Sequence, residues 1–203
     1  MEDTYHRADA FRWSLNAFIT TLIAVPDLVQ KASDEAQIKT SEIVSAIKNE
    51  QLFKSLKEYR DDIVHHHGLI IGSKGSIALS DSKKLRFAFR APIDHSVDSK
   101  EAILAYIRSG DFLQIMMPDE DNYPAIWREW KSDKFDDDML LVCRSSLLML
   151  SDFMHKALKL LLPDYDKTDN VFSLDCCKPI ESIQIKGCNR DDLMKSLCPH
   201  YPS

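Results

Sequence analysis

Glycine is scarce in this chain, five among 203 residues, and the scarcity removes whole classes of chemistry. Gly72-Ser73-Lys74-Gly75 lacks the P-loop spacing that lets backbone N–H groups cradle a phosphate. No G-x-S-x-G element is present to set a serine nucleophile on a tight turn. Positive charge is also in deficit, with 26 Lys and Arg against 32 Asp and Glu for a net charge of −6. A generally basic nucleic-acid face is therefore not expected, because cations supply most non-specific attraction to phosphates; a locally basic cleft remains compatible with that balance. No apolar run approaches the ~18–20 residues of a membrane span, so no membrane partner is expected. The start, Met1-Glu2-Asp3-Thr4-Tyr5-His6, is acidic and polar, unlike a secretory signal. A cytoplasmic location is the default expectation, and there the five cysteines should stay reduced.

Those cysteines make a poor metal site. Cys176-Cys177, Cys188, Cys198 and His200 cluster near the C-terminus, but the adjacent pair and the long gap before Cys188 do not match the C-x2–4-C knuckles of structural zinc. Plain thiols are the expectation, and the run His65-His66-His67 would bind a transition metal only adventitiously. No metal and no cofactor are expected.

What the chain has is an ordinary globular composition, 44% hydrophobic and 29% charged, and length for one well-buried core. Phe11, Leu15, Phe18 and Leu22 share one face of a helix placed at about 7–31, which Pro26 should kink or end. Ile43, Val44 and Ile47 suggest a second helix after the capping region Ser33-Asp34-Glu35. Leu52, Leu56, Tyr59 and Ile63 mark a third that stops at Gly68. The character then changes: Leu69-Ile70-Ile71, Ser76 to Leu79 and Leu85 to Phe89 read as short strands with turn residues between them. A short helix is expected at about 99–109. The longest period, Met139, Cys143, Leu147, Leu150, Met154, Ala157 and Leu161, predicts a helix from about 133 to 162 entered through Asp136-Asp137-Asp138. The tail holds two candidate strands, Val171 to Leu174 and Ser182 to Ile185, then a short helix at 190–197.

These elements predict a mainly α protein, an antiparallel helical bundle with a small β-hairpin or sheet inserted after the third helix. The expected organisation is one domain over 1–203, with the β insertion at about 69–98 and a mixed tail at about 164–203.

The most informative run is Tyr59-Arg60-Asp61-Asp62-Ile63-Val64-His65-His66-His67-Gly68. An arginine that keeps its proton and a histidine that titrates near neutrality can together grip or cut a phosphodiester without metal. A helix C-terminus alone would also explain histidines before a glycine, since cations and glycine are favoured there. Five α-helical steps rotate by about 140°, so Arg60 and His65 do not stack on a regular helix. Asp61 and His65, at i and i+4, are close enough to interact, and a nearby carboxylate favours the charged imidazole.

The spacing Arg60-x4-His65 resembles the signature of the HEPN family, small helical domains of which many are metal-independent endoribonucleases. A second match lies upstream, where Ala10-Phe11-Arg12-Trp13-Ser14-Leu15-Asn16-Ala17-Phe18 resembles the F-R-x-x-L-N-A-F pattern of the family's first helix. Together they cover about the first third of the chain. The resemblance implies a homodimer, with two motif helices facing each other across a two-fold axis to compose one cleft. It implies catalytic roles for Arg60, Asp61 and His65, RNA or a nucleotide as partner, and a toxin or defence role with a cognate antitoxin. The alternative is a non-catalytic HEPN-like module that binds nucleotide, RNA or a partner protein, a reading that the acidic balance and Asp61 favour.

Two weaker features complete the inventory. Lys83, Lys84 and Arg86, followed by Arg90, form the notable basic run and the best local candidate for RNA contact, although such a run on an edge hairpin is usually a solvated face. Trp127 and Trp130, beside Arg128 and Lys131, could stack bases, but aromatics at this spacing more often anchor a core.

Overall fold

The helical periods of the N-terminal third become helices in the computed structural model, which describes residues 1–67, 71–80, 85–109, 123–162, 165 and 177–188, with 66, 67, 78–80, 85–92 and 123 described by backbone. After a 3-10 turn at Glu2–Thr4 come α1 (Ala8–Glu35), α2 (Ser41–Asn49) and α3 (Gln51–Asp62), the last running into a π-helical turn at Ile63–His67. Then follow β1 (Gly72–Ser80), β2 (Leu85–Pro92), α4 (Ser99–Arg108), β3 (Tyr123–Lys131), α5 (Met139–Leu161), α6 (Ile180–Gln184) and β4 (Ile185–Gly187). The described elements are mainly helical with one small antiparallel sheet. Where the sequence was read as one domain, contacts divide the chain into two compact units: Met1–Arg12, Ile71–Ser132 and Lys178–Ser203 in one, Trp13–Ile70 and Asp133–Cys177 in the other.

In the helical unit, α1 continues through Pro26 to Glu35 instead of ending at about 31. Proline removes one backbone donor, yet Pro26 lies on the buried face of α1, so packing offsets the lost bond. The helix stops in a Schellman cap: Ile38 N–H reaches Ser33 O at 2.9 Å, Gln37 N–H reaches Asp34 O at 3.1 Å, and Gln37 takes φ of 57°. The Ser33 hydroxyl meets that of Thr40 at 2.5 Å. α5 starts at Met139, later than the expected 133, because the Asp138 carboxylate accepts from Leu140 N–H at 2.8 Å and caps it. Its buried face is Met139, Cys143, Ser146, Leu150, Phe153 and Ala157. Ser146 and Phe153 thus stand where Leu147 and Met154 were expected. The core tolerates Ser146 because its hydroxyl donates back to Val142 O at 2.6 Å.

In the other unit the sheet is wider than the insertion expected at about 69–98. Its order is β2-β1-β3-β4, antiparallel throughout. β3 was not anticipated. Its residues from Ile126 to Lys131 alternate between buried and half-buried, as a strand requires, but the buried position between Ile126 and Trp130 is filled by Arg128. The strand expected at Ser182–Ile185 is instead α6 leading into β4. Ile77, Ile93, Ile103, Leu104, Ile107, Ile126 and Cys188 form the core beneath α4. Gly75 is required where β1 crosses this core: a Cβ there would lie 2.2 Å from Ile93 Cδ1 and 2.3 Å from the Trp127 carbonyl. The candidate strand at Val171–Leu174 and the helix at 190–197 fall outside the described residues.

Candidate functional site

The arginine-histidine segment closes α3. Phe53, Leu56 and Tyr59 are its buried face, and the Tyr59 ring meets Phe135 edge-on with centroids 5.9 Å apart. Arg60 follows the last of these anchors, so it is held at the rim of the core, with its side chain 30% exposed and that of Asp61 41% exposed. The Ile63 N–H is shared between Arg60 O and Tyr59 O, and beyond it the backbone widens into the π turn. A π turn rotates less per residue than an α-helix, so His65 comes nearer the Arg60 face than five α-helical steps would bring it. Such widened turns occur mostly as single insertions and frequently at functional sites. His65 is exposed on this turn.

The carboxylates here are engaged differently from the expectation. Asp61 Oδ1 lies 2.8 Å from Arg60 Nε, a charge contact without hydrogen-bond alignment, since that buried Nε makes no hydrogen bond. No ion pair joins Asp61 to His65. The adjacent guanidinium is the stronger partner, and the π turn breaks the α-helical i, i+4 register on which an Asp61–His65 pair would depend. Asp62 instead holds Lys134 at 2.5 Å, a bond that raises the ammonium pKa above its usual value. Each motif carboxylate thus has a cation beside it, and His65 stands outside both pairs. His66 and His67 are placed by backbone alone.

The side chains expected to contact RNA are not among those described. Lys83 and Lys84 fall outside the described residues, and Arg86 lies on β2 with only its backbone described. Of the cysteine cluster, Cys176, Cys198 and His200 fall outside as well, while Cys143, Cys177 and Cys188 form no disulfide. Among the described residues no group of three His, Cys, Asp or Glu side chains is disposed to hold a metal, and no helix is long and apolar enough to cross a membrane.

Sequence reading missed a polar constellation in the α/β unit. Arg128 is fully buried, lies 3.8 Å over the Trp130 ring, and reaches four oxygens: Ser73 Oγ at 3.1 Å, Val97 O at 2.8 Å, Asp94 O at 3.2 Å and Ser99 Oγ at 3.4 Å. Burial lowers its pKa to about 10, where it keeps its charge. His6 Nδ1 lies 2.9 Å from the same Ser99 hydroxyl, and Nε2 lies 2.5 Å from Ile183 O. Burial, with smaller contributions from Lys186 and Arg128, pushes the His6 pKa down to about 4. The ring is thus neutral and one proton order fits every contact: Arg128 donates to Ser99, Ser99 donates to Nδ1, and Nε2–H donates to Ile183 O. A serine beside a histidine suggests a nucleophile, but Ser99 is 0% exposed and no reagent reaches it. The constellation is a lock that ties the N-terminal segment to α4, β3 and α6, strengthened by Tyr5 donating to Arg128 O at 2.8 Å and Trp130 to Tyr5 O at 2.8 Å. Trp130 is itself stacked on Phe11 at 5.0 Å, a core anchor and not a base platform.

No family model matches this chain, and no curated protein or solved structure matches it either.

Proposed function

We propose that the chain is a HEPN-like metal-independent endoribonuclease that acts as a cytoplasmic homodimer, a toxin or defence component countered by a cognate antitoxin. The observation that supports this most is the local geometry: Arg60 fixed at the core rim, a π turn directly after it, and His65 exposed on that turn. In this reading the ribose 2′-hydroxyl attacks the adjacent phosphorus, His65 transfers the proton, and Arg60 stabilises charge on the pentavalent phosphate, leaving a 2′,3′-cyclic phosphate. Asp61 tunes Arg60 through direct contact, and a second copy's motif completes the cleft. Lys83, Lys84 and Arg86 supply contacts to the RNA backbone.

The Arg60–Asp61 contact favours a second reading, a non-catalytic HEPN-like module that binds RNA, nucleotide or a partner protein. One experiment separates them: incubate a generic RNA in EDTA with wild type, Arg60→Ala, His65→Ala, His66→Ala and His67→Ala. The endoribonuclease reading expects cyclic-phosphate ends from wild type, loss in the first two variants, and retention of most activity in the last two. RNA retained without cleavage, and bound more tightly by Asp61→Asn, would establish the binding module. Neither cleavage nor binding would sink both.

A further inference from the structure

From Trp13 through Pro26, α1 carries no charged residue. One face is accounted for, because Leu15, Ile19, Leu22 and Val29 are buried. The opposite face is largely apolar or small and open: Trp13 is 75% exposed and Leu28 63%, with Ala17, Thr20, Thr21 and Ala24 exposed between them and Asp27, paired with Lys48, at the edge. Solvated helix faces ordinarily carry charge, and among the described residues none covers this one.

The order of side-chain sizes says what that cover is. Read from either end the face runs large, small, threonine, threonine, small, large, and pairing each residue i with 41−i matches Trp13 to Leu28, Ala17 to Ala24 and Thr20 to Thr21. An isologous contact demands that property, since the patch must be complementary to itself. We propose that this face of α1 packs antiparallel on the same face of a second copy, about a two-fold axis between Thr20 and Thr21. Alanines on either side of the central threonines allow close approach of the axes, and each Trp13 indole covers the partner's Leu28. The threonines can be buried without orphaning a hydroxyl: Thr21 Oγ1 already donates to Ala17 O at 2.8 Å, and Thr20 Oγ1 lies 3.5 Å from Asn16 Oδ1. The strip is about 22 Å long and buries roughly 1,000 Å² over both copies, the lower bound for a specific interface, so a weak, concentration-dependent association is expected. An anionic membrane surface fits less well, because the strip offers no cation to lipid headgroups. The inference goes beyond the proposed function and does not rest on it.

Sedimentation velocity from about 1 to 200 µM tests for such an association. Wild type should associate with rising concentration while its tryptophan emission shifts to the blue as Trp13 is covered. Ala24→Arg and Ala17→Arg, both at exposed positions, should each weaken association more than tenfold, a loss above about 1.4 kcal/mol. Mild oxidation should cross-link Thr20→Cys to its copy but not Lys31→Cys, which the antiparallel register holds about 30 Å from its equivalent. A chain monomeric at the highest concentration, or cross-linking alike at both positions, overturns the inference. So does association that survives Ala24→Arg while Thr20→Cys stays uncross-linked, a result that would leave dimerisation through the motif helices standing.

Discussion

Acidification should weaken the α/β unit through His6, and the size of the effect follows from its surroundings. The ring is enclosed by the Ser99 hydroxyl, the Ile183 carbonyl, and two cations, Lys186 on β4 and Arg128 on β3, that oppose a further positive charge. Its pKa falls from 6.5 to about 4. Between those values the unfolded chain takes up a proton that the folded ring refuses, so folding loses stability as pH falls from 6.5 toward 4 and keeps its full value above that window. That fall from 6.5 to about 4 corresponds to an upper limit of about 3 kcal/mol, and going from pH 7 to pH 5 should remove about 2 kcal/mol of it.

Urea unfolding at a series of pH values, read by tryptophan emission, measures this directly, because Trp127 and Trp130 lie in the affected unit. Carboxylates and the other histidines contribute their own pH dependence, so the informative quantity is the difference between wild type and His6→Gln. The variant cannot titrate at this position, and its stability should fall less than the wild type's by about 2 kcal/mol over the same interval. Parallel curves for the two proteins would show that His6 is not held neutral, and the proton order through Ser99 would then be wrong.

Gly75→Ala should cost at least about 1–3 kcal/mol, since the added methyl meets the Trp127 carbonyl, which cannot move without parting β1 from β3; a variant melting like wild type would refute the close crossing. Gln37→Gly should instead raise stability by about 0.5–1 kcal/mol, because glycine relieves the left-handed conformation at φ of 57° while conceding some unfolded-state entropy; a lower melting temperature would contradict the cap assignment. Leu150, 8% exposed in the helical unit, should cost ~2–5 kcal/mol on truncation to Ala, whereas Arg60→Ala should leave the melt nearly unchanged. The reverse pattern in thermal melts would make the arginine a structural ion-pair partner.

Periodicity made the helices legible in sequence, and it failed where a polar residue occupies an inward position. β3 alternates as a strand should, but Arg128 at a buried site hides the apolar period, and the carbonyls of Val97 and Asp94 with the hydroxyls of Ser73 and Ser99 make that burial tolerable. The phase of α5 was misjudged for the same reason: Ser146 is in the core because its hydroxyl bonds within the helix, so the more apolar stripe through Leu147 was the wrong one to follow. The His6–Ser99–Arg128 lock left no local trace, since its members lie on three segments and their pairing depends on the folded sheet. The Arg60 to His65 segment was legible because it is contiguous, yet its rotation was not, for nothing in Ile63-Val64-His65 announces a π turn.

That turn, together with the Arg60–Asp61 contact, sets the terms on which the motif meets an anion. A pair exposed to this degree is worth only about 0–1 kcal/mol in water, while a phosphate offers the guanidinium charge-assisted, bidentate hydrogen bonds that Asp61 does not make. Under the proposed reading phosphate therefore displaces Asp61, whose charge raises the threshold for binding without closing the site. An Asp61→Asn protein should then bind RNA more tightly, with a gain that shrinks as salt rises. Equal affinity of the two proteins in a titration at low salt would show that Asp61 does not restrain Arg60.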